Sequence, residues 1–216
     1  VLDQLRAMKV FDDTLILFMS DNGASAEVMV RGDGHDPKEP LGSAFTYLCL
    51  GAGWSTASNT PFRMHKTWVH EGGACTPLVA HWPKGIAARG ELRQTQGHVI
   101  DVVPTVLELA GLPQAYPAPN APAGPGRSLV PVFAKDVVLK RDTLWWAHEG
   151  NRAVRVKDWK LVSAKGQPWE LFDLSKDRAE ARNLATRFPA KVKELERVWQ
   201  MQADQFARDA VGKPQK

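Results

Sequence analysis

The chain has 216 residues, 44% hydrophobic and 24% charged, with a formal net charge of +4. That length supports a full hydrophobic core in one large or two small domains, and the basic residues are scattered rather than set in the aromatic-interleaved stripe that nucleic-acid binding needs. No apolar run approaches the roughly 20 residues of a membrane span, no charged-then-apolar leader begins at Val1, and two cysteines, Cys49 and Cys75, are too few for a disulfide framework.

Residues 1–8 space their apolar side chains as a helix does, with no N-cap before them. The chain therefore reads as entered inside a helix and as the C-terminal part of something longer. Asp12-Asp13 makes a turn, and 14–19 is a strand. Its run Leu15-Ile16-Leu17-Phe18-Met19 is what a mainly parallel sheet covered on both faces demands. Asp21-Asn22-Gly23 follows and has two readings. One is a tight turn, which Asn-Gly favours. The other is a metal site: ligands of open α/β sheets bind beyond the carboxyl ends of strands, and a carboxylate with an amide oxygen suits Ca²⁺ or Mg²⁺.

Residues 24–60 read as a long irregular loop, which is usually functional. Within it Gly51-Ala52-Gly53 lacks the rest of a dinucleotide fingerprint, and Arg31-Gly32-Asp33 is only a common tripeptide. The next stretch gathers Arg63, His65, Lys66 and His70 and ends on Gly72-Gly73. It is either a solvated charged loop or an anion site, in which Lys66 offers a movable point charge and the glycines permit close backbone approach. His70-Glu71-Gly72-Gly73-Ala74 has no second histidine, so it is not a zinc-protease helix, and no Gly-x-Ser-x-Gly elbow occurs. Trp54, Phe62 and Trp68 are candidates either for packing or for contact with a ligand ring.

A short strand is predicted at 77–82. An amphipathic helix follows at 101–110, apolar at 102, 103, 106, 107 and 110, with Pro104 in its first turn and Gly111 as its cap. Five prolines in 113–126 mark a linker or extended loop. Beyond them 143–147, 152–156, 158–162 and 169–174 read as an antiparallel meander that reverses at Lys157-Asp158. A last helix, 189–208, carries Val192, Leu195, Trp199 and Phe206 on one stripe to cover that sheet.

In order along the chain, these pieces resemble the sulfatase family. Residues 13–23 resemble its late metal-binding strand. Asn59-Thr60-Pro61-Phe62-Arg63-Met64-His65-Lys66 with His70-Glu71-Gly72-Gly73 resembles its sulfate-binding lysine segment. Residues 98–107 with Ala110-Gly111 are similar to the helix that follows, and Trp159-Lys160-Leu161, Glu170-Leu171-Phe172-Asp173-Leu174 and Asn183-Leu184-Ala185 to its small C-terminal sheet. The resemblance implies an α/β fold: the C-terminal part of an alkaline-phosphatase-like, mainly parallel sheet with flanking helices, plus a small antiparallel sheet covered by the C-terminal helix. It implies catalytic-domain residues at 1–114, a linker at 115–127, and a last main-sheet strand with the small subdomain at 128–216.

The implied activity is hydrolysis of sulfate esters on a small molecule or glycan, in a periplasmic or secreted protein. Asp21 and Asn22 would bind one Ca²⁺, Lys66 would contact the sulfate, and His65 and His70 would border the pocket. Asp21 is a further catalytic candidate, helping the nucleophile lose its proton. The family's nucleophile is a formylglycine from a Cys/Ser-x-Pro-x-Arg motif. Cys75-Thr76-Pro77-Leu78-Val79 begins that way but has Val79 in the arginine position. The nucleophile and the remaining metal ligands are therefore expected before Val1, and this chain alone is expected to be inactive. A phosphodiesterase or phosphonate hydrolase of the same superfamily, and a non-catalytic binding or structural module, are the alternatives.

Overall fold

The computed structural model describes residues 1–27, 36–46, 49–113 and 124–210. Arg31-Gly32-Asp33, most of the proline-rich stretch and the lysines near the C-terminus lie outside them. In chain order the elements are α1 (Leu2–Ala7), β1 (Ile16–Met19), α2 (Gly51–Asn59), α3 (Glu71–Ala74), β2 (Leu78–His81), α4 (Val102–Leu109), α5 (Val130–Ala134), β3 (Leu144–His148), β4 (Asn151–Val156), β5 (Trp159–Ser163), β6 (Glu170–Asp173) and α6 (Pro189–Ala210). Two compact units result: Val1–Asp21 with Pro77–Arg141, and Asn22–Thr76 with Asp142–Lys216. None of the described helices is long and apolar enough to cross a membrane.

In the first unit β1 and β2 pair antiparallel, from Ile16 opposite His81 to Met19 opposite Leu78. The apolar run of β1 is that of a strand from a larger, mainly parallel sheet; its partner among the described residues, β2, runs antiparallel to it. An antiparallel pair tolerates an open face where parallel strands do not, and Phe18 is 74% exposed. Phe11 packs on the ring of His81, and the Arg6 guanidinium lies over the Phe11 ring at 4.5 Å. The helix predicted at 101–110 forms as α4, with Gly111 at φ +66° beyond it. Its buried residues are Pro104, Thr105 and Leu107, whereas Val103 and Val106 are exposed. Asp101 anchors this unit. Its fully buried carboxylate accepts from Arg141 on both oxygens at 2.6 Å and from the backbone N–H groups of His98 and Arg127 at 2.8 Å.

In the second unit the predicted meander is present in the order β3-β4-β5-β6, every pair antiparallel. Lys157, at the predicted reversal, has φ +54°. Strand alternation sorts the side chains onto two faces. Val154, Leu161 and Leu171 point to one face and meet Leu195 of α6, with Val192, Val198 and Trp199 around them. This is the covering role expected of the last helix. Ala153, Val162 and Phe172 point to the other face and meet Val69 and Leu174. That second face is the one that holds the lysine segment.

The stretch read as irregular at 24–60 contains α2. Its sequence, Gly-Ala-Gly-Trp-Ser-Thr-Ala-Ser-Asn, has no apolar period to announce a helix. Only Ser55 of it is buried, and Trp54 stands 73% exposed. Both cysteines are free thiols.

Leu195 is 1% exposed and is the only residue of α6 buried in this core. Leu195→Ala is expected to lower unfolding free energy by about 2–5 kcal/mol, the range for a large-to-small change in a packed core. Urea denaturation followed by tryptophan fluorescence measures it.

Candidate functional site

Three glycines let three backbone segments touch. A Cβ on Gly23 would lie 1.7 Å from the Gly72 carbonyl oxygen, one on Gly72 2.3 Å from the carbonyl oxygens of Arg63 and Met64, and one on Gly73 1.9 Å from that of Trp68. No side chain fits at any of them. The contacts are also hydrogen-bonded. Gly23 N–H donates to the Gly73 carbonyl at 2.9 Å, Lys66 N–H to the Ala24 carbonyl at 3.1 Å, and Gly72 N–H to the Arg63 carbonyl at 2.9 Å. Asn59, at the end of α2, locks the arrangement: its Oδ1 accepts from Ala24 N–H at 2.9 Å and its Nδ2 donates to the Met64 carbonyl at 3.1 Å. The turn after β1 and the lysine segment are thus one hydrogen-bonded object.

On this object the predicted residues take different places. Asp21 is exposed and ends the first unit; Asn22 is half-buried and opens the second. Lys66 projects outward, 45% exposed, with Glu27 at 3.8 Å. An exposed pair at that separation is worth little, so the ammonium remains available to another anion. His65 contacts Ser55 Oγ through Nδ1 and meets Trp68 edge-on at 6.0 Å. Phe62 lies under Arg178 at 5.3 Å. Cys75 caps α3, half-buried, with Arg178 Nη2 at 3.3 Å from its sulfur. Burial, then the nearby Glu71 charge, push its thiol pKa up and keep it protonated.

His70 is fully buried. Its Nε2 lies 3.0 Å from Glu170 Oε2, which also takes Arg63 Nη2 at 2.8 Å. Its Nδ1 is buried with no hydrogen-bond partner among the described residues. Burial lowers its pKa and outweighs the opposing hydrogen bond to Glu170. The neutral ring donating through Nε2 satisfies this geometry, since protonating Nδ1 would bury an unpaired N–H.

Beneath it lies a network that no sequence motif announced. Lys160, the second residue of β5, is fully buried. Its Nζ donates to Glu71 Oε1 at 2.7 Å and lies 2.9 Å from Glu180 Oε1, a contact that is an ion pair rather than an aligned hydrogen bond. Glu180 Oε2 accepts the backbone N–H of Glu71 at 2.9 Å, and the Glu180 carbonyl accepts from Arg63 at 3.1 Å. Burial pushes the Glu71 carboxyl up, but the charge and hydrogen bond of Lys160 outweigh it and hold the carboxyl below its usual range. Burial likewise opposes, and the bonds from His70 and Arg63 outweigh, in holding Glu170 low. One signal was available: Lys160 shares the inward face of its strand with Val162.

Hard oxygen donors at Asp21 and Asn22 fit a hard cation as two of its six to eight ligands. Among the described residues no group of three or more His, Cys, Asp or Glu side chains is arranged to hold a metal.

Two outcomes follow from the network. Lys160→Met leaves Glu71 and Glu180 as unpaired buried charges and is expected to cost about 3–5 kcal/mol at pH 7. The loss shrinks on acidification as the Glu71 carboxyl, no longer held low by Lys160, protonates, which chemical denaturation at pH 7 and pH 5 reads. For His70, burial puts the folded pKa below the ordinary histidine value of 6.5, so the unfolded chain binds more protons between the two. Stability is full above that value and falls as pH drops through it toward the folded pKa. His70→Gln is expected to flatten this part of the stability–pH curve.

The sequence profile described as Sulfatase matches residues 1–112, and the one described as N-sulphoglucosamine sulphohydrolase, C-terminal, matches residues 62–205. An uncharacterized sulfatase of Schizosaccharomyces pombe is 29% identical over 92% of this chain. The crystal structure of Ps i-CgsB in complex with k-i-k-neocarrahexaose superposes over 93% of the chain, with a TM-score of 0.68 and 25% identity. A structure in complex with its substrate D-glucosamine-2-N,6-O-disulfate superposes over 96% of it, with a TM-score of 0.57 and 20% identity, a likeness of fold. The chain spans 39% of the yeast sulfatase, 39% of Ps i-CgsB and 37% of the third protein. With one profile covering just over half of it and the other about two thirds, and with the expected α/β architecture present, this chain belongs to the sulfatase family.

Proposed function

We propose that the protein carrying this chain hydrolyses sulfate esters, and that the chain supplies the sulfate-contacting lysine and part of a Ca²⁺ site. The observation that carries the reading is the stitched loop. Gly23 and Ala24, immediately after Asn22, are hydrogen-bonded to Gly73 and to the backbone of Lys66. The Asn22 amide and the exposed Lys66 ammonium thereby stand on segments joined by backbone hydrogen bonds, which supports a shared role.

In this reading Lys66 places a positive charge against the non-bridging oxygens of the sulfate. Charge grows there as the S–O bond to the leaving alcohol breaks, and a fixed cation is worth most where charge develops. Asp21 and Asn22 would be among the ligands holding a Ca²⁺ ion, which would supply further positive charge to the developing anion. His65 is the second substrate-facing candidate, its ring set by Ser55 on one side and Trp68 on the other. His70 serves from beneath: its neutral ring and Arg63 hold Glu170, and so hold the segment on which Lys66 stands. The substrate class favoured is a sulfated sugar, the kind of ligand that stands in the structure with D-glucosamine-2-N,6-O-disulfate.

In the full-length protein Lys66→Ala is expected to lower kcat/KM for 4-nitrophenyl sulfate by about 10²–10³, the loss seen when one oxyanion donor is removed. Asp21→Ala is expected to weaken Ca²⁺ binding as well as turnover, read by calorimetry. The 216-residue chain alone is expected to release no 4-nitrophenol; turnover by it would overturn the division of labour proposed here.

A further inference from the structure

We propose that a groove beside the lysine segment is a second sugar-binding position, taking the ring next to the one that carries the scissile sulfate. This rests on the sulfate-ester reading and names where the rest of a glycan would lie. The groove, about 730 Å³, is lined by Thr67, Trp68, Glu149, Asn151, Lys165 and Gln167, all from the second unit. That volume is in the range of small-molecule sites.

The groove is built rather than incidental. Thr67 holds φ +91°, a conformation that costs a β-branched residue of order 1–3 kcal/mol and persists only where its surroundings impose it. What imposes it is Asn151, which is buried. Its Nδ2 donates to the Thr67 carbonyl at 3.1 Å, and its Oδ1 accepts from Lys165 N–H at 3.0 Å. One amide thus ties together the end of the lysine segment, the β3–β4 turn and the turn after β5. Glu149 at φ +50° and Gly150 at φ +85° make the first of those turns. A Cβ on Gly150 would lie 2.9 Å from Lys165 Cγ, so the glycine lets the lysine stem lie against the turn.

The lining chemistry selects the ligand class. Trp68 gives a flat apolar surface with a polar edge. Thr67 and Gln167 offer neutral hydroxyl and amide groups, and Lys165 and Glu149 bring opposite charges. A simple anion gains nothing from Glu149. A polyhydroxylated ring uses all of them, its C–H face on the indole and its hydroxyls on the polar groups. The position suits a neighbouring ring as well. Trp68 is two peptide steps from Lys66, at most about 7.6 Å between Cα atoms, and it meets His65 edge-on.

The test uses the full-length protein and titration calorimetry, with sulfated monosaccharides and the corresponding sulfated disaccharides of hexosamine, galactose and fucose. At least one pair is expected to show a tenfold or greater gain in affinity from the second ring. Trp68→Ala, and separately the double variant Lys165→Ala with Gln167→Ala, are expected to cut that gain below threefold. No gain for any pair, or a gain that survives in both variants, overturns the proposal. Failure of the sulfate-ester reading shows elsewhere, as absence of sulfate release from 4-nitrophenyl sulfate, which has no second ring to place.

Discussion

The arrangement depends on an ammonium group, that of Lys160, fully buried within the protein. Removing a lysine charge from solvent costs several kcal/mol even after relaxation, and only close, well-formed pairing returns it. Lys160 finds that pairing in Glu71 and Glu180, which lie 89 residues before and 20 residues after it in the chain. The requirement reaches backward to strand register. Lys160 shares its face with Val162, opposite Phe172 of β6. A one-residue slip of β5 would turn Lys160 toward α6 and leave both carboxylates unpaired. A hydrophobic face alone would tolerate some sliding; a buried ion pair with two fixed partners penalises it. The shape of the loop that carries Lys66 is therefore set by the pairing of strands almost a hundred residues later.

The glycines solve the complementary problem. The polar network holds the lysine segment to the sheet from below, and backbone contacts hold it to the turn after β1. Those contacts bring carbonyl oxygens to within 1.7–2.3 Å of where a Cβ would stand on Gly23, Gly72 and Gly73. Hydrogen bonds between main-chain groups are the strongest means of joining segments so close, because every buried N–H and C=O must find a partner. The segment is thus bound on one side by charge and on the other by backbone, and neither side uses Lys66 beyond its amide.

Much of this was legible in the sequence, and the limits have physical causes. The four strands of the meander were legible because their side chains alternate between two faces, one packed on α6 and the other on Val69 and the buried charges; α6 was legible because its apolar stripe repeats at period 3.6. Helix α2 was not, because a helix of glycine, serine and threonine that buries only Ser55 has no stripe to display. The direction of β1 against β2 was not, since a short apolar run records burial and not the polarity of its partner. The lysine segment was recognisable as a charged stretch with a Gly-Gly end. Which of its charges face inward was not, because that is decided by Glu170 and Glu180, more than a hundred residues away.

That sorting of charges is where fold and function meet. Within 63–71 the chain sets out one guanidinium, one ammonium, two imidazoles and one carboxylate. Arg63 is consumed by Glu170 and the Glu180 carbonyl, His70 by Glu170, and Glu71 by Lys160. Apart from the buried Nδ1 of His70, these groups are paired inside the protein among the described residues and have little left to offer a ligand. His65 is set by Ser55 and Trp68, and Lys66 has among the described residues only a distant, solvent-screened ion pair with Glu27, while its neighbours are fixed on either side. A flexible lysine on a flexible loop would lose on binding an anion the entropy of both. Here the backbone cost is met in folding, and only the side chain remains to be ordered. In the proposed role of Lys66, the buried charges around it would thus matter to a sulfate they never touch, because they turn an ordinary surface lysine into a positioned one.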